Sequence, residues 1–341
     1  MAIPALPAQR GRLTRMVRSR IIGTGHFLPE RVLTNKDLEA LCDTTDEWIR
    51  QRTGIEQRHT AEPGEGASDL CTPAARRAME CAGVGPGDID LLICCTTTGD
   101  YIFPATACVV ADNLGLGNTP SFDINAACSG FVYGLATADA FLRSGVYKTI
   151  ALVGGELATN RVAFHKRDTA VLFGDGAGAV ILRAEDGDRG VLTTHLWSDG
   201  SGREILWLPA GGSKIPVTAA NVDDDINTIH MKGKDLFRRA VIEFGNAANT
   251  ALEAAGMTFA DVDLFIPHQA NIRIIEAVAE RMGLPADKCV VNIQKVANCT
   301  AGSIPLALSQ ACDEGRVKDG SVLLLASFGA GLTWASAIVR W

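Results

Sequence analysis

The sequence predicts an α/β protein made of two similar halves that pack against each other. Three observations carry that prediction. The chain has 341 residues, a length that suits two domains or one duplicated domain. A helix–strand unit occurs twice: AxxAMExAG at Ala75–Gly83 matches AxxALEAAG at Ala248–Gly256, and DIDLLI at Asp88–Ile93 matches DVDLFI at Asp261–Ile266, both pairs 173 residues apart. Two further pairs follow in the same order. A strand at Thr149–Val153 leads to FGDGAGAVIL (Phe173–Leu182), and one at Val322–Ala326 leads to FGAGLTWASAIV (Phe328–Val339). The halves are expected over residues 21–190 and 191–341, joined near 190–235.

The elements can be justified in order. Residues 1–20 carry five arginines and no acid, with no apolar stretch for a signal peptide, and read as a disordered extension before a start near Met16. Ile21–Phe27 reads as an apolar opening strand closed by a turn at Pro29, and Asn35–Cys42 as a helix. Thr44-Thr45-Asp46-Glu47 has the spacing of a capping box and would start a helix at Trp48. Ala67–Ala82 is a long helix ended by Gly83, and Leu91–Thr96 a buried strand. Ser121–Asn125 is a strand-like run that gives way, through the small residues around Cys128, to another helix.

Composition narrows the function. With 47% hydrophobic and 21% charged residues the profile is globular. The 39 acidic against 32 basic residues, net charge −7, argue against a nucleic-acid partner. Ten cysteines without a CxxC pair, several of them in apolar runs, read as reduced thiols of a cytoplasmic protein rather than as disulfides or zinc ligands. No run of 18 apolar residues is available to span a membrane. GxSxG, HExxH and P-loop motifs are absent, and FGDGAG lacks the strand–GxGxxG–helix context of a dinucleotide loop, so it reads as tight glycine turns under a packed core.

The chemistry-bearing residues sit at the corners of the repeat. Cys128 falls where strand becomes helix, where unpaired N–H groups and the helix dipole favour a thiolate; such placement can bring a cysteine pKa from about 8.5 to ~3.5–7.5. Asn298, in VANCTAGSIP, is expected at the equivalent corner of the second half, and His268, in PHQAN, follows the DVDLFI strand. Asn298 can serve as a helix cap or, with His268, present two N–H donors to a developing enolate oxygen. The FGAG turn can offer a backbone N–H beside Cys128.

NAACSGF, PHQAN, ANCTAGSIP and the terminal FGAGLTWASAIVRW together resemble the ketoacyl-ACP synthase III family, as do DTTDEWIRQRTGI, Phe103-Pro104 and FGDGAGA, from about Ile21 to Trp341. The resemblance implies a thiolase-like fold, two pseudo-symmetric halves layered α/β/α/β/α. It implies a decarboxylating condensation of acyl-CoA with malonyl-ACP, in a cytoplasmic homodimer without metal or redox cofactor. Cys128, His268 and Asn298 would be catalytic, and the N–H groups of Cys128 and Ala330 would form the oxyanion hole. Trp48 and Arg167 would clasp the adenine of coenzyme A, with Arg52 near its phosphates and Gly233 also in that site. Phe103, reaching across a dimer interface, would shape the acyl pocket with Ala158 and Phe173, and Arg273 would meet acyl carrier protein.

Five positions depart from the family pattern. Ala297 and Cys299 flank the asparagine in place of glycine and threonine, Ala330 replaces the middle glycine of FGGG, Ala158 replaces a larger apolar residue, and Lys234 replaces an asparagine. Two other readings fit the same motifs: a relative that primes a polyketide pathway, and a catalytically silent thiolase-fold partner. A thiolase itself would need a second catalytic cysteine near the C-terminus, and the FGAG turn has none.

Overall fold

The computed structural model describes residues 17–341. The expected extension before Met16 lies outside the described residues, but Val17–Arg20, assigned to it, belong to the first strand. That strand, β1, runs Val17–Phe27 and pairs antiparallel with the strand over Asp175–Asp186, from Val17 opposite Asp186 to Phe27 opposite Ala177. Further strands are β2 (Leu91–Cys95), β3 (Ser121–Ile124), β4 (Thr149–Leu157) and β5 (Asp175–Asp186). They form a five-stranded sheet in the order β1-β5-β4-β2-β3, with β2 parallel to both neighbours. The second sheet holds β6 (Gly190–Ser198), β7 (Leu264–Pro267), β8 (Val322–Gly329) and β9 (Thr333–Arg340) in the order β7-β8-β9-β6. Its pairings repeat the first: β7 and β8 are parallel, and β8, β9 and β6 antiparallel.

The helices follow their local sequence closely. The first, α1 (Asn35–Glu39), stops short of the expected Cys42, and α2 (Asp46–Thr53) starts two residues before Trp48. Thr45 is its cap, accepting the Trp48 N–H at 3.1 Å, so no box centred on Thr44 forms. Helix α3 spans Ala67–Ala82 and ends on Gly83 at φ 65°, where a side chain would be strained. The others that shape the core are α4 (Thr106–Asn113), α5 (Gly130–Ser144), α6 (Gly233–Ala255), α7 (Ile272–Met282), the short α8 (Ile293–Val296) and α9 (Ser303–Asp313).

Alternation along the strands sorts these helices into layers. Leu91, Ile93 and Cys95 face inward onto Phe131, Leu135 and Leu142 of α5, in one core with Ile304 and Leu308 of α9 and with Leu323 and Leu325 of the second sheet. Leu92 and Cys94 face outward onto α3 and α4. Leu324, Ala326 and Phe265 face outward onto α6 and α7. The result is five layers, α/β/α/β/α, with α5 and α9 as the central one. Each fully buried Leu or Phe there contributes ~1.5–3 kcal/mol relative to exposure.

The repeat persists at the level of single hydrogen bonds. Asp90 accepts the Thr149 N–H at 2.9 Å, and Asp263, 173 residues on, accepts the Val322 N–H at 2.8 Å. It also breaks where the site forms. Cys289 occupies the place of β3, as a single parallel bridge to Phe265. Ser121, by contrast, pairs with Leu92, the equivalent of Phe265. The segment from Cys289 to the turn at Thr300 therefore has extra residues, which form α8 and carry Asn298. The strict counterpart of Cys128 is Ala301, not Asn298; the positive-φ residues Ala127 (φ 46°) and Thr300 (φ 42°) fix that alignment. The join between halves is also shorter than expected. Residues 187–189 link β5 to β6, and residues 199–232 are an excursion that carries the ladder Leu206–Trp207 with His230–Met231.

From Asp175 on, FGDGAG is strand rather than a set of turns, because Asp175 begins β5. Its glycines admit α9: a Cβ on Gly178 would stand 2.2 Å from the Leu306 nitrogen, a backbone atom that cannot rotate away. Gly178→Ala is expected to destabilise the protein by ~1–3 kcal/mol through overpacking. Urea unfolding checks it, and an unchanged midpoint would show that sheet and helix part easily.

Candidate active site

Cys128 lies in a one-turn 3₁₀ segment, Ala127–Ser129, between β3 and α5. This turn is clamped to the FGAG turn at the end of β8. The Thr333 hydroxyl lies 2.9 Å from both the Ala126 and Ala330 carbonyl oxygens, and the Ser129 hydroxyl donates to the Thr333 carbonyl at 3.1 Å. Gly329 passes so close that a Cβ there would meet the Cys128 Cβ at 2.6 Å and Sγ at 3.0 Å. The N–H groups of Ala330 and of Cys128 itself face the sulfur. Ala330 is not among the residues with positive φ, whereas Gly331 is (φ 132°), so alanine at position 330 fits the turn without strain.

His268 follows β7, and its N–H donates to the Ala326 carbonyl of β8 at 2.9 Å. Both ring nitrogens are buried and have no hydrogen-bond partner among the described residues, which costs ~1–3 kcal/mol per group. Asn298 is held on three sides. Its N–H donates to Leu172 O at 3.0 Å, its carbonyl accepts Gly174 N–H at 3.1 Å, and its Oδ1 accepts Thr300 N–H at 2.9 Å. Oδ1 being engaged, Nδ2 is the donor Asn298 offers to the pocket it lines. The Asn298 turn also packs on the Cys128 turn, since a Cβ on Gly130 would lie 3.3 Å from the Ala301 Cβ. Three separate segments thus meet at the end of β8.

The electrostatics differ from the sequence expectation. Burial pushes the Cys128 thiol up to about 12, and the charge of Glu156 adds to this; the Ala330 and Cys128 N–H groups pull the other way. The helix terminus therefore does not hold a resting thiolate, because desolvation of the charge outweighs it. Burial also lowers His268 to about 3. The resting pair is a neutral thiol and a neutral imidazole.

Residues Trp48, Arg52, Phe173, Gly233, Arg273 and Asn298 line one pocket of about 500 Å³, together with Lys234. The remaining expected residues lie elsewhere. The Arg167 guanidinium stacks on Trp48 itself, 4.5 Å from the ring centroid, and donates to the Asp43 carbonyl, so the two expected jaws of an adenine clasp touch each other. Ala158 is buried in the cluster that includes Phe173, Ile293 and Ala297, and does not line this pocket. Phe103 is 84% exposed, beside Ile102 at 91%. Sequence reasoning missed Thr333, Ser129 and Gln269, whose amide bridges the Pro267 and Val290 carbonyls and accepts the Asn292 N–H. Their only sequence signal is that they lie inside the quoted motifs: Ser129 in NAACSGF, Gln269 in PHQAN and Thr333 in the terminal FGAGLTWASAIVRW. Among the described residues no group of three or more His, Cys, Asp or Glu side chains is placed to hold a metal ion, and no helix is long and apolar enough to cross a membrane.

Five layers, two pseudo-symmetric halves and a cysteine on the turn where both sheets meet define a thiolase-fold condensing enzyme. Residues 122–200 match the family model for 3-oxoacyl-[acyl-carrier-protein] synthase III, and residues 252–341 the model for its C-terminal part. A beta-ketoacyl-[acyl-carrier-protein] synthase III of Xanthomonas campestris pv. campestris is 48% identical over 96% of this chain and 100% of its own length. The crystal structure of the synthase III from Aquifex aeolicus superposes with a TM-score of 0.89 at 42% identity, covering 95% of this chain and 100% of that one. A priming beta-ketosynthase of the R1128 polyketide pathway gives 0.88 at 34% identity, covering 97% and 98%. The chain belongs to the 3-oxoacyl-[acyl-carrier-protein] synthase III family and is an acyltransferase.

Two predictions follow from the site's strain and burial. Ala297 holds φ 58°, ψ −159°, a region essentially reserved for glycine that costs ~1–3 kcal/mol for other residues. Ala297→Gly is expected to raise the melting temperature, and a fall would mean that the strain is absent. For His268, the unfolded chain takes up a proton below the ordinary pKa of 6.5, while the native ring stays neutral down to about 3. Its contribution is full above 6.5 and erodes as pH falls from there towards 3. Between pH 7 and 5 the wild type is expected to lose up to ~2 kcal/mol relative to His268→Gln. Parallel urea curves at the two pH values check this.

Proposed function

We propose that this chain joins an acyl-CoA starter to malonyl-ACP by a decarboxylating Claisen condensation, giving the 3-oxoacyl-ACP that begins fatty acid synthesis. Cys128 attacks the acyl-CoA thioester while its own N–H and that of Ala330 hold the oxyanion. The Cys128–acyl bond forms, the acyl–CoA bond breaks, and the thiol proton leaves with CoA. Malonyl-ACP then enters. Loss of CO2 leaves an enolate whose oxygen is held by the Asn298 amide and by His268 as the Nε2–H tautomer. The enolate carbon attacks the acyl thioester and expels Cys128. With its raised pKa the departing sulfur takes up one proton from solvent and returns to the thiol. What supports this reading is the Cys128 sulfur faced by two backbone N–H groups, with Asn298 on a turn packed against that of Cys128 and His268, its imidazole buried and neutral, bonded through its backbone N–H to β8.

The pocket supplies the rest of the reading. Trp48, Arg52 and Gly233 would bind coenzyme A, with Arg167 swinging off Trp48 to admit the adenine. Phe173 would border the acyl chain, Ala158 would leave room for a longer or branched one, and Arg273 would meet the carrier protein. Loss of CO2 drives the condensation, so the reaction calls for no metal or redox cofactor. A homodimer is supported by the exposed Tyr101, Ile102 and Phe103, on a loop tied to the edge strand β3 by Asp123, which accepts the Thr106 N–H at 2.7 Å. Phe103 would then close the partner's acyl pocket. The ten cysteines support a reducing, cytoplasmic setting. The two thiolase-like halves would divide at residues 190 and 191. The synthase III relatives of Xanthomonas campestris (48% identical) and Aquifex aeolicus (42%) resemble this chain more than the polyketide-priming enzyme does (34%), which supports the first reading over the second.

Acyl transfer tests the assignment. Incubation with acyl-CoA is expected to give a single adduct on Cys128 by mass spectrometry, absent in Cys128→Ser. His268→Ala and Asn298→Ala are expected to keep the adduct but slow malonyl-ACP decarboxylation by ~10²–10³. An adduct on another cysteine, or full-rate decarboxylation in both variants, would overturn it.

A further inference from the structure

Glu156 is a fully buried carboxylate on β4 to which the reaction above gives no part. It is not a stray charge. It accepts the Thr97 N–H at 2.7 Å, the Thr97 hydroxyl at 2.9 Å and the Thr98 hydroxyl at 2.7 Å. The Thr98 hydroxyl in turn accepts the Leu157 N–H at 2.9 Å, which locks the residue-97 loop to β4. That loop runs on to Tyr101, Ile102 and Phe103. On its other side the carboxylate faces the hydroxyl of Thr300, which is buried and makes no hydrogen bond among the described residues. The Thr300 N–H is the group that fixes Asn298 Oδ1. β4 and this turn are in direct contact, since a Cβ on Gly154 would stand 2.5 Å from the Ala301 carbonyl oxygen.

We propose that Glu156 is a positioning residue of the condensation step: it anchors the Thr300 turn, and through the Thr300 N–H the Asn298 amide, to the loop that bears Phe103. The inference rests on the enolate-holding role given above to Asn298. Thr300 sits at φ 42°, where a non-glycine residue needs surrounding structure to hold it. The buried carboxylate supplies that hold from the side away from substrate. It also links the acyl-pocket loop to the amide that acts in the second half-reaction. Burial raises the Glu156 pKa, while the Thr97, Thr98 and Thr300 contacts lower it.

Single-turnover rates for acylation by acetyl-CoA and for malonyl-ACP decarboxylation separate this role from a merely structural one. Removing an oxyanion donor costs ~10²–10³, so misaligning one in Glu156→Gln is expected to slow decarboxylation ~10-fold. Acylation and the KM for malonyl-ACP are expected to stay within ~2-fold, a loss confined to kcat. Thr300→Val is expected to match it, Thr300→Ser to restore the rate, and Glu156→Gln/Thr300→Val to be no slower than either single variant. Equal slowing of both half-reactions, or additive effects in the double variant, would overturn the proposal. Should Glu156→Gln fail to fold, Thr300→Val against Thr300→Ser decides alone. Asn298→Ala in parallel separates the two readings. If it is slow while Glu156→Gln is normal, the Glu156 assignment alone is overturned. If it runs at the wild-type rate, the role of Asn298 falls and that of Glu156 falls with it.

Discussion

The structure depends on one close approach, the backbone of Gly329 against Cys128. Two sheets from two halves of the chain end within van der Waals reach of each other there, with no side chain between them. Only small residues permit it. Gly130, Gly154 and Ala301 make the companion contacts on the other side of the same corner. Thr333 and Ser129 then stitch the turns together through backbone carbonyls. Because the clamp is made from main-chain groups, N–H donors that would otherwise be unpaired are aimed at the sulfur.

This close packing also sets the electrostatics. A corner sealed by layers of helix and sheet has little water, so it disfavours every charge placed in it. The thiol rises, the imidazole falls, and both rest neutral. A neutral imidazole suits a hydrogen-bond donor to an enolate better than a general base, and a protonated thiol suits a reaction in which CoA departs as its own thiol. Glu156 is the exception, a buried carboxylate retained because several donors surround it.

Duplication explains why the site is asymmetric within a symmetric frame. Both halves bring a strand-to-helix corner to the centre, each with a positive-φ residue, Ala127 and Thr300. The first has a cysteine, Cys128, at the next position and the second an alanine, Ala301. The second half instead adds residues before its corner, and Asn298 lies among them. A shared fold therefore supplies the corners, and a local insertion supplies the amide.

The sequence by itself determined the alternation of elements, the repeat and the three chemistry-bearing positions. These are carried by short-range patterns: a 173-residue offset, Gly83 closing a helix, a cysteine ringed by small residues, a histidine after a strand. Tertiary structure alone decided the rest. It decided that Gly176 and Gly178 of FGDGAG lie in a strand under α9, that Val17–Arg20 extend β1 because Arg183–Asp186 are there to pair with, and that Ala301 rather than Asn298 answers Cys128. It decided, too, that Cys128 is a thiol at rest. A helix terminus is visible in the sequence, but the desolvation that outweighs it comes from residues hundreds of positions away packed over the same sulfur.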